Sequence, residues 1–118
     1  MRSAIESFLG TPYRYGGDSL DGIDCSGLVM VIYRSSAGVQ LPHIAEQLIR
    51  LGKKVKLKKI RFGDLVFFNT GSQEGVHSGI YVGDGQFAHA SLSRGVILSR
   101  LDETYYRQRF LEARRVVK

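Results

Sequence analysis

The chain has a single cysteine, Cys25, among its 118 residues, so an internal disulfide is excluded. It has no CxxC pair to suggest a zinc ribbon. No apolar run approaches the roughly 20 residues of a membrane-spanning helix. The opening Met1-Arg2-Ser3-Ala4-Ile5-Glu6-Ser7-Phe8 is too short and too polar for a secretory signal. There is no internal repeat and no low-complexity segment. What remains is 43% apolar and 24% charged, the proportions of an ordinary globular domain rather than a disordered chain. A chain of this length is expected to form one domain, 1–118, burying about two-thirds of its unfolded surface without staples.

Charge is unevenly placed. Lys53, Lys54, Lys56, Lys58, Lys59 and Arg61 contribute +6 within nine residues that hold no acid, and the rest of the chain balances eleven bases against eleven acids. One reading is a solvated edge with Val55 and Leu57 turned inward between outward lysines. The other is attraction to a polyanion such as a wall polymer or an anionic membrane surface. Nucleic acid is not expected, because no aromatic platform or recognised binding motif accompanies the lysines.

Taken in order, Ser3 to Leu9 predicts a short opening helix with Ile5, Phe8 and Leu9 on one side. Gly10-Thr11-Pro12 ends it, and Tyr13-Arg14-Tyr15-Gly16-Gly17 leads into a loop rich in Gly and Asp. Asp24 to about Ala37 predicts a central helix, apolar on most faces and therefore buried, with Gly38 to close it. Leu41-Pro42-His43 is a connector, His43 reading as a surface residue, and Ile44 to Leu51 predicts a second amphipathic helix. Strands are expected at Leu65–Asn69, His77–Val82, Gln86–Ala90, Gly95–Leu101 and Leu111–Val117, with a helical turn around Glu103–Arg107. Helices first and strands later argue for an α+β domain with helices against one face of an antiparallel sheet.

The cysteine stands where a turn hands over to the central helix. Asp24 is a good N-cap, so Cys25 falls in the first helical turn, where unpaired N–H groups and the positive dipole end favour an anion. A thiol titrates near about 8.5 when unperturbed; a helix N-terminus and a nearby imidazolium lower that value and make a nucleophile. A lone cysteine is more commonly a small buried hydrophobe. The question is whether the chain supplies an imidazole.

Five motifs stand in order: Tyr13-Arg14-Tyr15-Gly16-Gly17, Asp24-Cys25-Ser26-Gly27, Gly63-Asp64-Leu65-Val66-Phe67-Phe68, His77-Ser78-Gly79-Ile80-Tyr81-Val82-Gly83 and Phe87-Ala88-His89-Ala90. Together they resemble the NlpC-type family of cysteine peptidases that cut bacterial peptidoglycan, Spr-like murein endopeptidases among them. The resemblance runs from about Phe8 to Val117. It implies a pared-down papain-like fold, with N-terminal helices packed on a five- to six-stranded antiparallel sheet, and a triad of Cys25, His77 and His89. Tyr13, twelve residues before Cys25, is then a hydroxyl donor toward the oxyanion or substrate, or else simply packs in the core. Asp24 and Ser26 are candidate substrate contacts, although Asp24 need only be a cap.

For that triad both histidines must share a sheet face. Side chains alternate along a strand, so a two-residue loop at Gly83-Asp84 or Asp84-Gly85 would send His77 and His89 to opposite faces. A three-residue loop, Gly83 to Gly85, or a bulge with the same effect, would put them on one face as diagonal neighbours. The resemblance requires the second arrangement.

The expected activity is that of a cysteine endopeptidase acting on peptidoglycan stem peptides or cross-links. The expectations are no cofactor, no resident metal, peptidoglycan as partner, a monomer, and a place in the cell envelope: periplasmic, anchored to the outer membrane as a lipoprotein, or secreted. An export signal would then have been trimmed from the chain. Three alternatives differ in class: a thiol acyltransferase, a non-catalytic wall-binding module, and a zinc site built from Cys25, His77 and His89.

Overall fold

The structure is a computed structural model and describes residues 1–70 and 75–116. Helix α1 (Arg2–Phe8) is followed by a short ribbon, β1 (Asp18–Ser19) with β2 (Gly22–Ile23), and then by the central helix α2 (Cys25–Ala37). Next come α3 (Ala45–Leu48), β3 (Lys53–Val55), a 3-10 turn over Leu57–Lys59 and β4 (Leu65–Asn69). The chain continues through β5 (Val76–Gly83), β6 (Gln86–Ser91), β7 (Gly95–Arg100), α4 (Thr104–Arg109) and β8 (Phe110–Arg115). The main sheet has six strands in the order β3-β8-β4-β5-β6-β7, and every neighbouring pair is antiparallel. Helices packed on such a sheet make this the expected α+β architecture.

Alternation along the strands divides the core in two. Leu65, Phe67, Ile80, Val82, Ala88, Ala90 and Val96 join Leu28, Val29, Val31, Ile32 and Tyr33 of α2 in the larger cluster. Val66, Phe68, Phe87 and Ala113 form the smaller one, covered by Tyr106, Phe110 and Leu101. Each strand therefore feeds both cores with successive residues, and a slip of one position would exchange them.

The ends of α2 are set by sequence chemistry. Asp24 caps the helix by accepting the Gly27 N–H at 2.8 Å, and Gly38 closes it at φ +66°. The far end of α2 is tied to β4: the Tyr33 hydroxyl donates to the Gly63 carbonyl. Asp64, only 3% exposed, receives a two-pronged bond from Arg115 at 2.9 and 2.8 Å and the Arg61 N–H at 2.9 Å. Burial, with the Asp64 charge adding to it, pushes the Tyr33 hydroxyl up to about 12. The Gly63-Asp64 pair thus serves the fold, joining α2, β4 and β8.

Several sequence expectations need correction. The second helix, expected over Ile44–Leu51, keeps α geometry only through Ala45–Leu48. Beyond it the Arg50 and Leu51 N–H groups turn to carbonyls three residues back, which tightens the chain before Gly52 at φ +64°. Leu57, expected to face inward, is 46% exposed because the basic run leaves β3 after Val55 and coils into the 3-10 turn. The Gly/Asp-rich segment after Tyr15 contains the β1–β2 ribbon rather than plain loop. The last strand starts at Phe110, and its predicted end at Val117 lies outside the described residues.

The β5–β6 hairpin resolves differently from the three-residue loop. Gly83 pairs with Gln86, leaving the two-residue turn Asp84-Gly85 with φ of +54° and +75°, the double positive φ of a type I′ turn. A bulge between Tyr81 and Gly83, where Gly83 has φ +93°, then shifts the register so that Tyr81 faces Phe87 and Ile80 faces Ala88. The extra residue reverses the parity set by the turn. The bulge, not the loop length, brings the histidines to one face.

Candidate active site

His77 lies near the start of β5 and His89 in the middle of β6, both almost wholly buried. With the bulged register they are diagonal neighbours, and His77 Nε2 stands 2.8 Å from His89 Nδ1. The two rings meet nearly at right angles, at 88°. The other nitrogen of His89, Nε2, lies 2.7 Å from Ser99 Oγ on β7. Tyr106 of α4 lines the same cavity as Ser99, whose hydroxyl counters part of the rise that burial causes in the Tyr106 hydroxyl. Phe87 stacks on the His89 ring at 4.6 Å and Tyr106 approaches it edge-on at 5.3 Å.

These contacts decide the state of His89. Burial, reinforced by the charge of His77, lowers it to about 3. His89 is therefore neutral at any ordinary pH, with one ring nitrogen donating and the other accepting. Its partners fix both nitrogens within a wall of aromatic rings. Such a residue orients its neighbour without competing for the proton.

Cys25 opens α2 and is 3% exposed. It lines a cavity of about 170 Å³ together with Tyr15, Gly16, Asp24, Ser26, His43, Glu46 and Val76. His77 and His89 line a second cavity, of about 400 Å³, with Ser99, Arg94, Glu103 and Tyr106. Val76, the residue before His77, borders the cysteine's side, and α2 packs on β5 and β6. Consecutive residues of β5, Val76 and His77, thus line the cysteine's hollow and the histidines' hollow respectively.

Asp24 is more than a cap. Its Oδ1 accepts the Gly27 N–H and lies 2.8 Å from His43 Nε2 and 3.4 Å from Ser26 Oγ, while Oδ2 accepts the Gly16 N–H at 2.8 Å. Buried to 6% exposure, the carboxylate ties the Gly16 loop and the His43 connector to the helix that carries Cys25. His43 is thus not the detached surface histidine of the sequence reading; its side chain is 26% exposed and bound to Asp24. Ser26 is also buried, beside Asp24.

Tyr13 sits next to the same segment through backbone pairing. It bridges Ile23 in parallel, with Arg14 N–H donating to the Ile23 carbonyl and Ile23 N–H to the Pro12 carbonyl. Its ring is half-buried against the larger core. The pairing puts Tyr13 beside Ile23, two residues before Cys25.

Sequence reasoning missed His43, Ser99 and Tyr106. Ser99 had a usable signal: the three-residue turn Leu92–Arg94 between β6 and β7 puts His89 opposite Ile97 and Ser99 on the same face, one diagonal step away. His43 and Tyr106 had none, because each arrives from a separate element. Among the described residues no three His, Cys, Asp or Glu side chains converge in a metal-binding group.

The comparisons with known proteins agree with this architecture. Residues 10–115 match the NlpC/P60 family. The chain is 45% identical over 117 residues to the probable endopeptidase NlpC of Escherichia coli K12, covering 98% of this chain and 76% of that protein. It is 47% identical over 108 residues to the murein DD-endopeptidase MepS/murein LD-carboxypeptidase of the same organism, covering 92% of this chain but 57% of that protein. A crystal structure of an NlpC/P60 family protein from Bacillus cereus superposes with a TM-score of 0.87 at 34% identity, over 97% of this chain and 38% of that one. A match across nearly every described element, from the loop before Tyr13 to the end of β8, leaves one assignment: the chain belongs to the NlpC/P60 family.

Proposed function

We propose that the chain is a cysteine endopeptidase that hydrolyses amide bonds in peptidoglycan stem peptides or cross-links, within the cell envelope. The observation that carries this reading is the bond of 2.8 Å between His77 Nε2 and the neutral His89 Nδ1, on strands packed against the helix that Cys25 opens. With Nε2 turned to His89, Nδ1 is the His77 nitrogen that serves the thiol. His77 takes the Cys25 proton, and the thiolate attacks the scissile carbonyl. His77 is then an imidazolium that donates Nε2–H to His89 Nδ1, while His89 Nε2–H donates to Ser99 Oγ.

N–H groups at the start of α2, with the Tyr13 hydroxyl, stabilise the oxyanion. His77 gives its proton to the departing amine, and water then cleaves the acyl-enzyme with His77 as base. Asp24, engaged by Gly16, Gly27 and His43, acts by positioning the loop and connector that border Cys25, and Ser26 lies where the acyl half of the substrate passes. Murein-acting relatives support peptidoglycan as substrate. Anchoring to the outer membrane, a periplasmic site or secretion, a monomeric state, and contact of Lys53, Lys54, Lys56, Lys58, Lys59 and Arg61 with an anionic wall or membrane surface complete the proposal.

The test is mass spectrometry of muropeptides released from purified sacculi. Wild-type protein should convert cross-linked or full-stem species to shorter ones, identifying the bond cut, while Cys25→Ala, folded by circular dichroism, should release none. Equal release by Cys25→Ala would overturn the assignment.

A further inference from the structure

The nucleophile and its base are each presented from the end of an element. Cys25 opens α2, and His77 is the second residue of β5. Backbone bonds are fewest at such ends, and positions there are least fixed. Proton transfer between a thiol and an imidazole depends steeply on their separation, and a misplacement of about 1 Å costs on the order of 100-fold in rate. A contact that reaches both ends therefore bears on catalysis.

The segment between α2 and β3 makes such a contact. His43 Nε2 lies 2.8 Å from Oδ1 of Asp24, the residue before Cys25. Nearly one turn further on, Glu46 Oε2 accepts at 3.3 Å the N–H of Val76, the residue before His77. Asp24, Cys25, His43, Glu46 and Val76 line one hollow of about 170 Å³. Each anchor lands beside a glycine. A Cβ on Gly27 would stand 2.9 Å from His43 Nε2, and one on Gly75 would stand 2.5 Å from Glu46 Oε2. Both approaches are closer than a Cβ tolerates, so a glycine makes the room at either end. The stretch between the anchors is held in place. The Gln47 and Leu48 N–H groups both donate to the Ile44 carbonyl at 3.0 Å, Ala45 and Leu48 are buried, and α3 packs on α2 and β5.

We propose that His43 to Glu46 is a strap that sets the separation of Cys25 from His77, with His43 and Glu46 as positioning residues that act through Asp24 and through the Val76 backbone. This rests on the peptidase reading above and names what holds its nucleophile and base in register. His43 carries the larger share, because its partner is a buried carboxylate, whereas the Glu46 bond is longer and exposed. A strap works only while both ends hold. Freeing either end releases the same constraint, so the two losses overlap instead of adding.

The experiment compares His43→Ala, His43→Gln, Glu46→Ala, Glu46→Gln and the double alanine variant, by kinetics on a soluble muropeptide and by the pH dependence of Cys25 alkylation with iodoacetamide. His43→Ala should lower kcat about tenfold and Glu46→Ala about threefold, each with KM within about twofold of the wild type. Each should also raise the pH midpoint of alkylation, because a thiol set further from its imidazole ionises less readily. His43→Gln keeps a donor for Asp24 and Glu46→Gln an acceptor for Val76, so both should recover most of the loss. The double variant should fall within about twofold of His43→Ala alone. A double variant that loses about thirtyfold, the product of the two single losses, overturns the shared strap while the peptidase reading stands. So does a raised KM with kcat kept, or an alkylation midpoint that stays at the wild-type value in the folded alanine variants. Failure of the wild type to cut either the muropeptide or sacculi overturns both.

Discussion

The two ends of the six-stranded sheet handle polar chemistry in opposite ways. At the β5-β6-β7 end His77, His89 and Ser99 are buried to 5%, 1% and 7% exposure, and each bond from the His77 ring to the Ser99 hydroxyl has a named partner. At the β3 end Lys53, Lys54, Lys56, Lys58, Lys59 and Arg61 all stand exposed on an outermost strand and the turn after it. An unmet buried polar group costs about 1–3 kcal/mol, so the first end has one acceptable arrangement. An exposed ion contributes between about zero and 1 kcal/mol, so the second has many. Substitutions at the histidine end should depend on which atom is lost; those at the lysine end should depend only on how many charges are lost.

The sharpest break is at His89. Its removal should leave His77 Nε2 without its orienting partner, so His89→Ala should lower kcat/KM by about 100- to 1000-fold, or roughly 3–4 kcal/mol. His89→Asn or His89→Gln, which can still accept the His77 N–H, should retain more. Equal loss in all three variants would mean that packing against Phe87, not the hydrogen bond, is what matters. Stability carries a second signature with a definite sign. Unfolded histidine binds a proton near about 6.5, whereas native His89 does so near about 3. Above the unfolded value neither state is protonated and nothing is lost. As pH falls from 6.5 toward 3 the unfolded state gains the proton, and the native state weakens by at most about 1.4 kcal/mol per pH unit. The melting temperature of His89→Asn should therefore fall less steeply than that of the wild type across this window.

A smaller effect is expected one bond further out. Ser99→Ala removes the partner of His89 Nε2 and frees the neutral ring to choose the other tautomer. Activity should drop about tenfold, and Ser99→Thr should recover part of it. The pH profile of kcat/KM should shift with Ser99→Ala, because a mis-set His89 supports the His77 imidazolium less well. Loss of stability with no change in that profile would make Ser99 a packing residue only.

The same contrast explains what was legible in the sequence. α2 was readable because its determinants are local: Asp24 before it, apolar residues through Tyr33, and Gly38 after it. Four of the five predicted strands lie within one residue of their observed bounds at both ends, and the fifth was placed to begin one residue late, at Leu111 instead of Phe110. The parity of the β5–β6 hairpin was not fixed by the turn residues. Asp84 adopts positive φ and the bulge at Gly83 compensates, so two irregularities cancel. The Asp24–His43 bond spans nineteen positions and depends on how a connector folds back; no pattern within either segment signals it. The second helix was overestimated because Ile44, Leu48 and Leu51 suit a helical face, although the chain tightens into i−3 bonds after Leu48.

The lysine end should give the smallest effect, and one of a different kind. β3 pairs only through β8, with Lys53 opposite Arg115 and Lys54 opposite Arg114, so cations face cations across the outer ladder. Arg115 is held by Asp64 and Arg114 lies 2.7 Å from Glu112, leaving the lysines without an ion-pair partner among the described residues. Neutralising Lys54, Lys56 and Lys58 together as glutamines should therefore cost little stability. If the strip touches an anionic surface, binding of the Cys25→Ala protein to whole sacculi should weaken severalfold between about 50 and 300 mM salt, where the Debye length shrinks from roughly 14 to 6 Å. The triple variant should start weaker and respond less to salt, while kcat/KM on a small soluble muropeptide stays within twofold. Sacculus binding that ignores both salt and the three substitutions would leave these lysines with the one task of keeping an open strand edge from pairing with another chain, and their replacement should then show itself as self-association at high protein concentration.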